Sequence, residues 1–153
     1  MNDLRQRNNI TERDYTPLPD VNKIREDAAA ANVRSILDLS NAYHQIRIEP
    51  GYEIYNTINA GDLRSFQIQV VLQEDSNVPA TMMRVMNTIL AEYLGKFVWV
   101  YLDDIVVFSD TVQQHLENLH LIFDKLCKHK LYLKISKCGF LQDELKLLGH
   151  LIK

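Results

Sequence analysis

Cysteine is scarce in this chain of 153 residues: Cys127 and Cys138 are the only two, and they do not stand in metal-ligand spacing. A chain of this size needs no disulfide staple, so both read as free thiols of a reducing compartment and neither is given a chemical role. Long apolar runs are missing as well. No stretch approaches the roughly 20 residues of a membrane-spanning helix, and the polar start Met1-Asn2-Asp3-Leu4-Arg5 lacks the apolar core of a secretory signal. The expectation is an intracellular protein, cytoplasmic or nuclear, with no targeting signal and no membrane partner. A basic excess is also absent. Seventeen Lys and Arg against 20 Asp and Glu leave a formal charge of −3, which argues against a dedicated non-specific nucleic-acid binder. No linker, low-complexity segment or internal repeat interrupts the chain.

What is present is a core. With 46% hydrophobic and 24% charged residues, the chain fits one compact domain that buries roughly 68–70% of its unfolded surface. Charge is unevenly spread: residues 1–95 carry 9 Lys and Arg against 13 acids, residues 96–153 carry 8 Lys against 7 acids. Lys125, Lys128, Lys130, Lys134 and Lys137 form a close group. A solvated helix end is the commoner explanation of such a group; phosphate contact is the other.

Thr16-Pro17-Leu18-Pro19-Asp20 reads as an extended entry into a helix over 21–31 with Asp20 as N-cap. Residues 33–40 and 43–48 read as two strands broken at Ser40-Asn41, with a turn at Pro50-Gly51. β-like pieces near 65–72 precede a polar loop over 73–77. A helix is predicted over 79–94, with proline near its first position, Gly95 past its end, and Met82, Met86, Ile89 and Tyr93 on its core face. Asp110 or Thr111 caps a further helix whose Val112, Leu116, Leu119, Phe123 and Leu126 recur at spacings of four, three, four and three. Short strand candidates follow at 131–133, 139–141 and 145–152. The class is α+β, an antiparallel sheet packed on two helices.

Tyr101-Leu102-Asp103-Asp104 lies between the apolar runs Phe97-Val98-Trp99-Val100 and Ile105-Val106-Val107-Phe108. Such runs suit strands covered on both faces, and they place two adjacent carboxylates at a hairpin tip. An Asp-Asp pair alone says little, since 12 Asp in this chain give about one such pair by chance. Its setting says more, because two unit charges ~4 Å apart repel by about 4 kcal/mol at an effective dielectric near 20. Asp38, within Ile36-Leu37-Asp38-Leu39, is a second unusual carboxylate, disfavoured in a strand and costly to bury unpaired. Beside the hairpin, Asp38 would join Asp103 and Asp104 in a cluster suited to two Mg²⁺ ions about 3.5–4 Å apart. Spacing alone fits equally a strand that ends at Asp38 and a turn made by Asp103-Asp104.

These residues carry a resemblance. Leu37-Asp38-Leu39-Ser40-Asn41-Ala42-Tyr43-His44-Gln45-Ile46 and Tyr101-Leu102-Asp103-Asp104-Ile105-Val106-Val107-Phe108-Ser109 are similar to the two catalytic motifs of a reverse transcriptase of the gypsy class of long-terminal-repeat retrotransposons. Asp3-Leu4-Arg5 with Asn8 and Thr11 resembles that family's Asp-Tyr-Arg-x-Leu-Asn-x-x-Thr, and Pro17-Leu18-Pro19 its Tyr-Pro-Leu-Pro. Asn77-Val78-Pro79-Ala80-Thr81 with Arg84 and Met86-Asn87 resembles its helix entry. His115, Lys137-Cys138-Gly139-Phe140 and Leu148-Gly149-His150 are similar to its later motifs.

The resemblance implies a palm with partial fingers: residues 1–32 and 53–77 as partial fingers, 33–52 and 78–153 as palm. It implies RNA-directed DNA synthesis by two-metal nucleotidyl transfer, with Asp38, Asp103 and Asp104 as catalytic and metal-binding residues, Mg²⁺ as cofactor and Mn²⁺ as its substitute. Tyr43 would pack under the incoming sugar, Gln73 line the nucleotide pocket, Lys137 stand near the triphosphate, and Leu148, Gly149 and His150 grip the primer. Partners would be an RNA or DNA template-primer, deoxynucleoside triphosphates and other parts of a retroelement polyprotein. Glu74 and Arg64 stand where the family has Gly, and Asn56-Thr57-Ile58-Asn59 replaces its Lys-Thr-Ala-Phe-like segment. With Met1 inside the first motif, the expectation is a fragment without the upstream fingers strands, thumb, RNase H and integrase regions. The alternative is a catalytically dead remnant with weak nucleic-acid binding or an interaction role.

Overall fold

Helix α1 (Val21–Ala30) starts where the prolines end: the Asp20 carboxylate accepts the Asn22 N–H at 2.9 Å, satisfying one of the free donors of the first turn. Its other end is closed from outside. Arg34, 4% exposed, donates to the carbonyls of Ala28, of Ala29 at 3.2 Å, of Ala31 at 2.6 Å, and of Asp143 at 2.7 Å. The fixed fork of a guanidinium suits several carbonyls at once, and a cation at a helix C-terminus also meets the negative end of its dipole. The computed structural model describes residues 8, 9, 11, 12, 14, 16–59, 65–72, 76–147 and 150–152.

Strands β1 (Val33–Asp38), β4 (Val98–Tyr101), β5 (Asp104–Ser109) and β6 (Gly139–Gln142) form an antiparallel sheet in the order β4-β5-β1-β6. Two small hairpins stand beside it, β2 (Thr57–Asn59) with β3 (Ser65–Gln67), and β7 (Leu145–Leu147) with β8 (His150–Ile152). On one face of the large sheet Leu37, Ile105 and Val107 pack against Met82, Met83 and Met86 of α2 (Val78–Ile89) and Leu119, Ile122 and Leu126 of α3 (Val112–Lys128). On the other face Val106 packs with Ile24 and Ala28 of α1 and with Leu145 and Ile152, and the Trp99 indole N–H donates to Asp27 at 2.9 Å. The apolar runs therefore mean what they suggested: β5 is buried on both sides. The class is α+β as expected, with α1 as a third helix against the sheet.

Several expectations change, beginning with the strand predicted over 33–40, which ends at Asp38. Residues 43–48 are not a strand. Asn41 takes a left-handed conformation (φ +46) and Ala42–Gln45 form one 3₁₀ turn, so the chain leaves the sheet directly after Asp38; Arg47 then makes only an isolated bridge to Val70. Helix α2 ends at Ile89, before Tyr93, in a series of turns that run to Gly95 (φ +73). Helix α3 begins at Thr111, whose hydroxyl accepts the Gln114 N–H at 3.2 Å, but it is rotated from the predicted face. Val112 and Leu116 are exposed, while His115 and Asn118 are buried. The reason is polar pairing: the His115 ring is 2.7 Å from Ser35 Oγ and 3.0 Å from Ser109 Oγ, and Asn118 donates to Ser109 Oγ at 2.9 Å. Two strand serines turn a polar stripe inward.

Burial holds the His115 pKa below its ordinary value, so the native ring is neutral. In the unfolded chain His titrates near ~6.5. The stability tied to the neutral ring is complete above that value and is lost as pH falls through the window below it. The melting-temperature advantage of the wild type over His115→Gln should thus shrink between pH 7.5 and pH 5; a constant gap would contradict a neutral buried ring.

Candidate functional site

Asp38 is the last residue of β1 and Asp104 the first of β5, and they are direct partners across the antiparallel ladder. Tyr101 pairs with Asp104, which leaves Leu102-Asp103 as a two-residue hairpin turn. Such turns need positive φ at their first central position, commonly met by Gly. Here Leu102 takes it, at φ +54, a strained choice for a bulky residue. Its N–H points at the thioether of Met83, 3.2 Å away, and Met83 is fully buried on α2. The helix core thereby holds the turn, and the turn projects Asp103 beside the Asp38–Asp104 pair.

The carboxylates stress one another. Burial raises the Asp104 pKa, the charges of Asp38 and Asp103 raise it further, and Lys137 opposes them. Asp103 Oδ1 is buried with no hydrogen-bond partner among the described residues. Tyr43, on the 3₁₀ turn after Asp38, faces Asp103: burial, then the Asp103 charge and the hydrogen bond to it, push the phenol up to about 12. Lys137 Nζ lies 3.4 Å from Asp38 Oδ2, its side chain 58% exposed, so solvent screening leaves the pair well under ~1 kcal/mol.

A second set of contacts fixes the end of β1. Lys134 N–H donates to the Asp38 carbonyl at 2.9 Å and Ser40 N–H to the Tyr132 carbonyl at 2.8 Å. The Asp38 N–H approaches Cys138 Sγ at 3.4 Å. Gln45 acts as a two-way clamp, accepting the Tyr132 N–H at 2.7 Å and donating to the Tyr132 carbonyl at 3.0 Å and to the Ser40 carbonyl. Residues 131–133, expected as a strand, are instead part of a strap laid over the turn that carries Tyr43, with one bridge, Leu39 to Leu133.

The structure thus brings together Asp38, Asp103, Asp104, Tyr43 and Lys137. Gln73, Leu148 and Gly149, with Arg64 and Glu74, lie outside the described residues; His150 is the first residue of β8. The lysine group does not act as one patch: Lys125 pairs with Glu92 and stands 5.6 Å over the Tyr93 ring, and Lys137 pairs with Asp38. Gln45, Met83 and Cys138 position the site without having been singled out for it. Met83 and Gln45 show no periodicity of their own that marks them, and Cys138 had been denied a chemical role.

Among the described residues no three carboxylate, imidazole or thiol groups already form a metal cage. The donor set nevertheless fits a hard divalent cation. It is all oxygen, as Mg²⁺ requires, it contains the unpartnered buried oxygen of Asp103, and its crowded charge calls for a cation.

Known proteins resemble this chain along its whole length. A family model described as reverse transcriptase (RNA-dependent DNA polymerase) matches residues 1–152. The retrovirus-related Pol polyprotein from transposon 297 of Drosophila melanogaster is 34% identical over 153 residues, 98% of this chain and 14% of that protein. An RNA-directed DNA polymerase homolog of Oenothera berteroana is 34% identical over 123 residues, 78% of this chain and 86% of that protein. The foamy viral protease-reverse transcriptase in complex with an RNA/DNA hybrid shares the fold, with a TM-score of 0.86 at 22% identity over 99% of this chain and 20% of that one. The chain spans only about 14–15% of the transposon polyproteins it matches first. With its family model covering all but the last residue and its aspartates gathered at one hairpin tip, the chain belongs to the reverse transcriptase (RNA-dependent DNA polymerase) family.

Proposed function

We propose that this chain is the palm, with partial fingers, of the reverse transcriptase of a gypsy-class retrotransposon polyprotein, and that it takes part in RNA-directed DNA synthesis inside the cell. The observation that carries the reading is Asp38 opposite Asp104 with Asp103 on the adjoining turn, one of its oxygens unpartnered. In this reading residues 1–32 and 53–77 belong to the fingers and 33–52 and 78–153 to the palm. The polyprotein relatives and the nucleic-acid complexes of the foamy viral enzyme support an RNA or DNA template-primer as partner and further polyprotein regions as companions.

Asp38, Asp103 and Asp104 would hold two Mg²⁺ ions, or Mn²⁺ in their place, which when bound activate the attacking primer oxygen and stabilise the leaving one. The chain's own residues position and shield. Tyr43, neutral at physiological pH, offers its ring to the sugar of a deoxynucleoside triphosphate and its hydroxyl to Asp103. Lys137, released from Asp38, is available to the triphosphate, Gln73 to the nucleotide pocket, and Leu148-Gly149-His150 to the primer. Catalysis of this kind rests on positioning and electrostatics. The test is extension of a primed RNA template with Mg²⁺ and, separately, Mn²⁺, comparing the chain with Asp103→Asn. Extension lost in the variant supports the reading. No extension by the wild type, with Glu74→Gly inactive too, replaces it with a catalytically dead remnant.

A further inference from the structure

The turn that presents Tyr43 to Asp103 has an outer side, and a cleft of about 610 Å³ lies there, within the range of small-molecule sites. His44 and Arg47 line one wall, His129, Lys130 and Tyr132 the other, and Val70 lies between. Each wall is built. Arg47 is held by its bridge to Val70 and by the flanking bonds from Ile48 N–H to the Gln69 carbonyl at 2.9 Å and from Val71 N–H to the Ile46 carbonyl at 3.0 Å. Lys130 takes a left-handed conformation (φ +57) that turns the chain out of α3, closed by the Leu131 N–H to Leu126 carbonyl bond of 2.9 Å. The Gln45 clamp on Tyr132 ties one wall to the other.

Its charge sets the cleft apart. The chain as a whole is acidic, yet among the described residues no carboxylate lines this space. Among the described residues neither Arg47 nor Lys130 has an ion-pair partner, whereas Lys125 and Lys137 of the same run do. Tyr132, 66% exposed, offers a ring face at the same wall. Two unpaired cations, two imidazole donors and an open aromatic ring suit a phosphate joined to a planar base.

We propose that this cleft binds a nucleotide unit, free or within a single strand, with its phosphate on Arg47 and Lys130 and its base on Tyr132. The site uses none of the three aspartates, so it stands apart from the polymerase reading and survives that reading's failure.

The test titrates the full chain into a fluorescein-labelled ten-residue oligothymidylate at low salt, with competition by thymidine monophosphate and by inorganic phosphate. Arg47→Gln/Lys130→Gln should weaken binding at least about tenfold and lower the salt slope by roughly one to two. Tyr132→Ala, which keeps the backbone bonds to Gln45, should weaken it about fivefold or more. Arg47→Lys/Lys130→Arg should retain most of the affinity, which excludes loss of fold as the cause. Competition by the monophosphate assigns the site to free nucleotides as well as strands; its failure, with oligonucleotide binding intact, assigns it to strands. The proposal is overturned if Lys128→Gln, outside the cleft, weakens binding as much as the double variant. Equal competition by inorganic phosphate and monophosphate overturns it as well.

Discussion

An Asp103→Asn variant should melt at a higher temperature than the wild type in the absence of divalent metal, while losing templated extension by about 10³-fold or more. Both effects have one cause. The native Asp103 carboxylate keeps a buried oxygen without a partner and adds its charge to those of Asp38 and Asp104. Two like charges ~8 Å apart still repel by about 2 kcal/mol at an effective dielectric near 20. Relief of even ~1 kcal/mol raises the melting temperature of a domain this size by roughly 2–4 °C. The activity loss follows from the several kcal/mol that metal-held charge contributes to such a reaction, at about 1.4 kcal/mol per tenfold. Calorimetry in EDTA and in Mg²⁺ separates the terms: metal should raise the wild type more than the variant. Asp104→Asn checks the sign. Because the folded Asp104 pKa is raised, the protonated carboxyl favours the fold below the unfolded value near ~3.9, and that advantage is lost as pH rises through the folded value. The asparagine variant should therefore exceed the wild type by more at pH 7 than at pH 4. A wild type that outmelts both variants at pH 7 in EDTA would remove the argument for electrostatic conflict.

Arg34→Met should destabilise the fold by about 3 kcal/mol or more, since it strands two buried carbonyls, those of Ala28 and Ala31, that each cost roughly 1–3 kcal/mol when unpaired. Four carbonyls depend on this guanidinium, three of them at the C-terminal end of α1. Arg34→Lys should recover less than half of the loss, because an ammonium is a point donor and cannot serve that fork of acceptors. Arg84→Ala is the control. Arg84 pairs with Asp14 at 2.7 Å but its side chain is 58% exposed, so its loss should cost no more than ~1 kcal/mol. Urea denaturation measures all three, and equal losses for Arg34→Met and Arg84→Ala would show that α1 does not need the capping guanidinium.

How much was legible depended on what each residue touches. The hairpin at Asp103-Asp104 was readable because β5 is covered on both faces, so its run is apolar at every position. The caps at Asp20 and Thr111 were readable because they act within their own turn. The 3₁₀ turn over Ala42–Gln45 was not. It runs into Ile46-Arg47-Ile48, which alternate as a strand would, and only the left-handed Asn41 and the remote Gln45 clamp on Tyr132 decide against a strand. Helix α3 misled for a related reason, since Ser35, which pairs with His115, lies on β1 far off in the chain, and Ser109, which pairs with His115 and Asn118, lies on β5 outside the helix's own repeat. Of the candidate site, the three aspartates were read from their setting in the sequence, and Tyr43 and Lys137 through the family resemblance alone. Arg34, Gln45 and Met83 act through contacts that no local pattern marks.

The crowding of Asp38, Asp103 and Asp104 also bears on descent. Any one neutral substitution among them would ease a strain the folded chain carries, and none of the three supplies core packing that such a change would disturb. A copy drifting without selection on chemistry is filtered, if at all, by whether it folds. That filter would discard these carboxylates early. Their joint presence beside the left-handed turn at Leu102 therefore runs against what fold stability alone would keep.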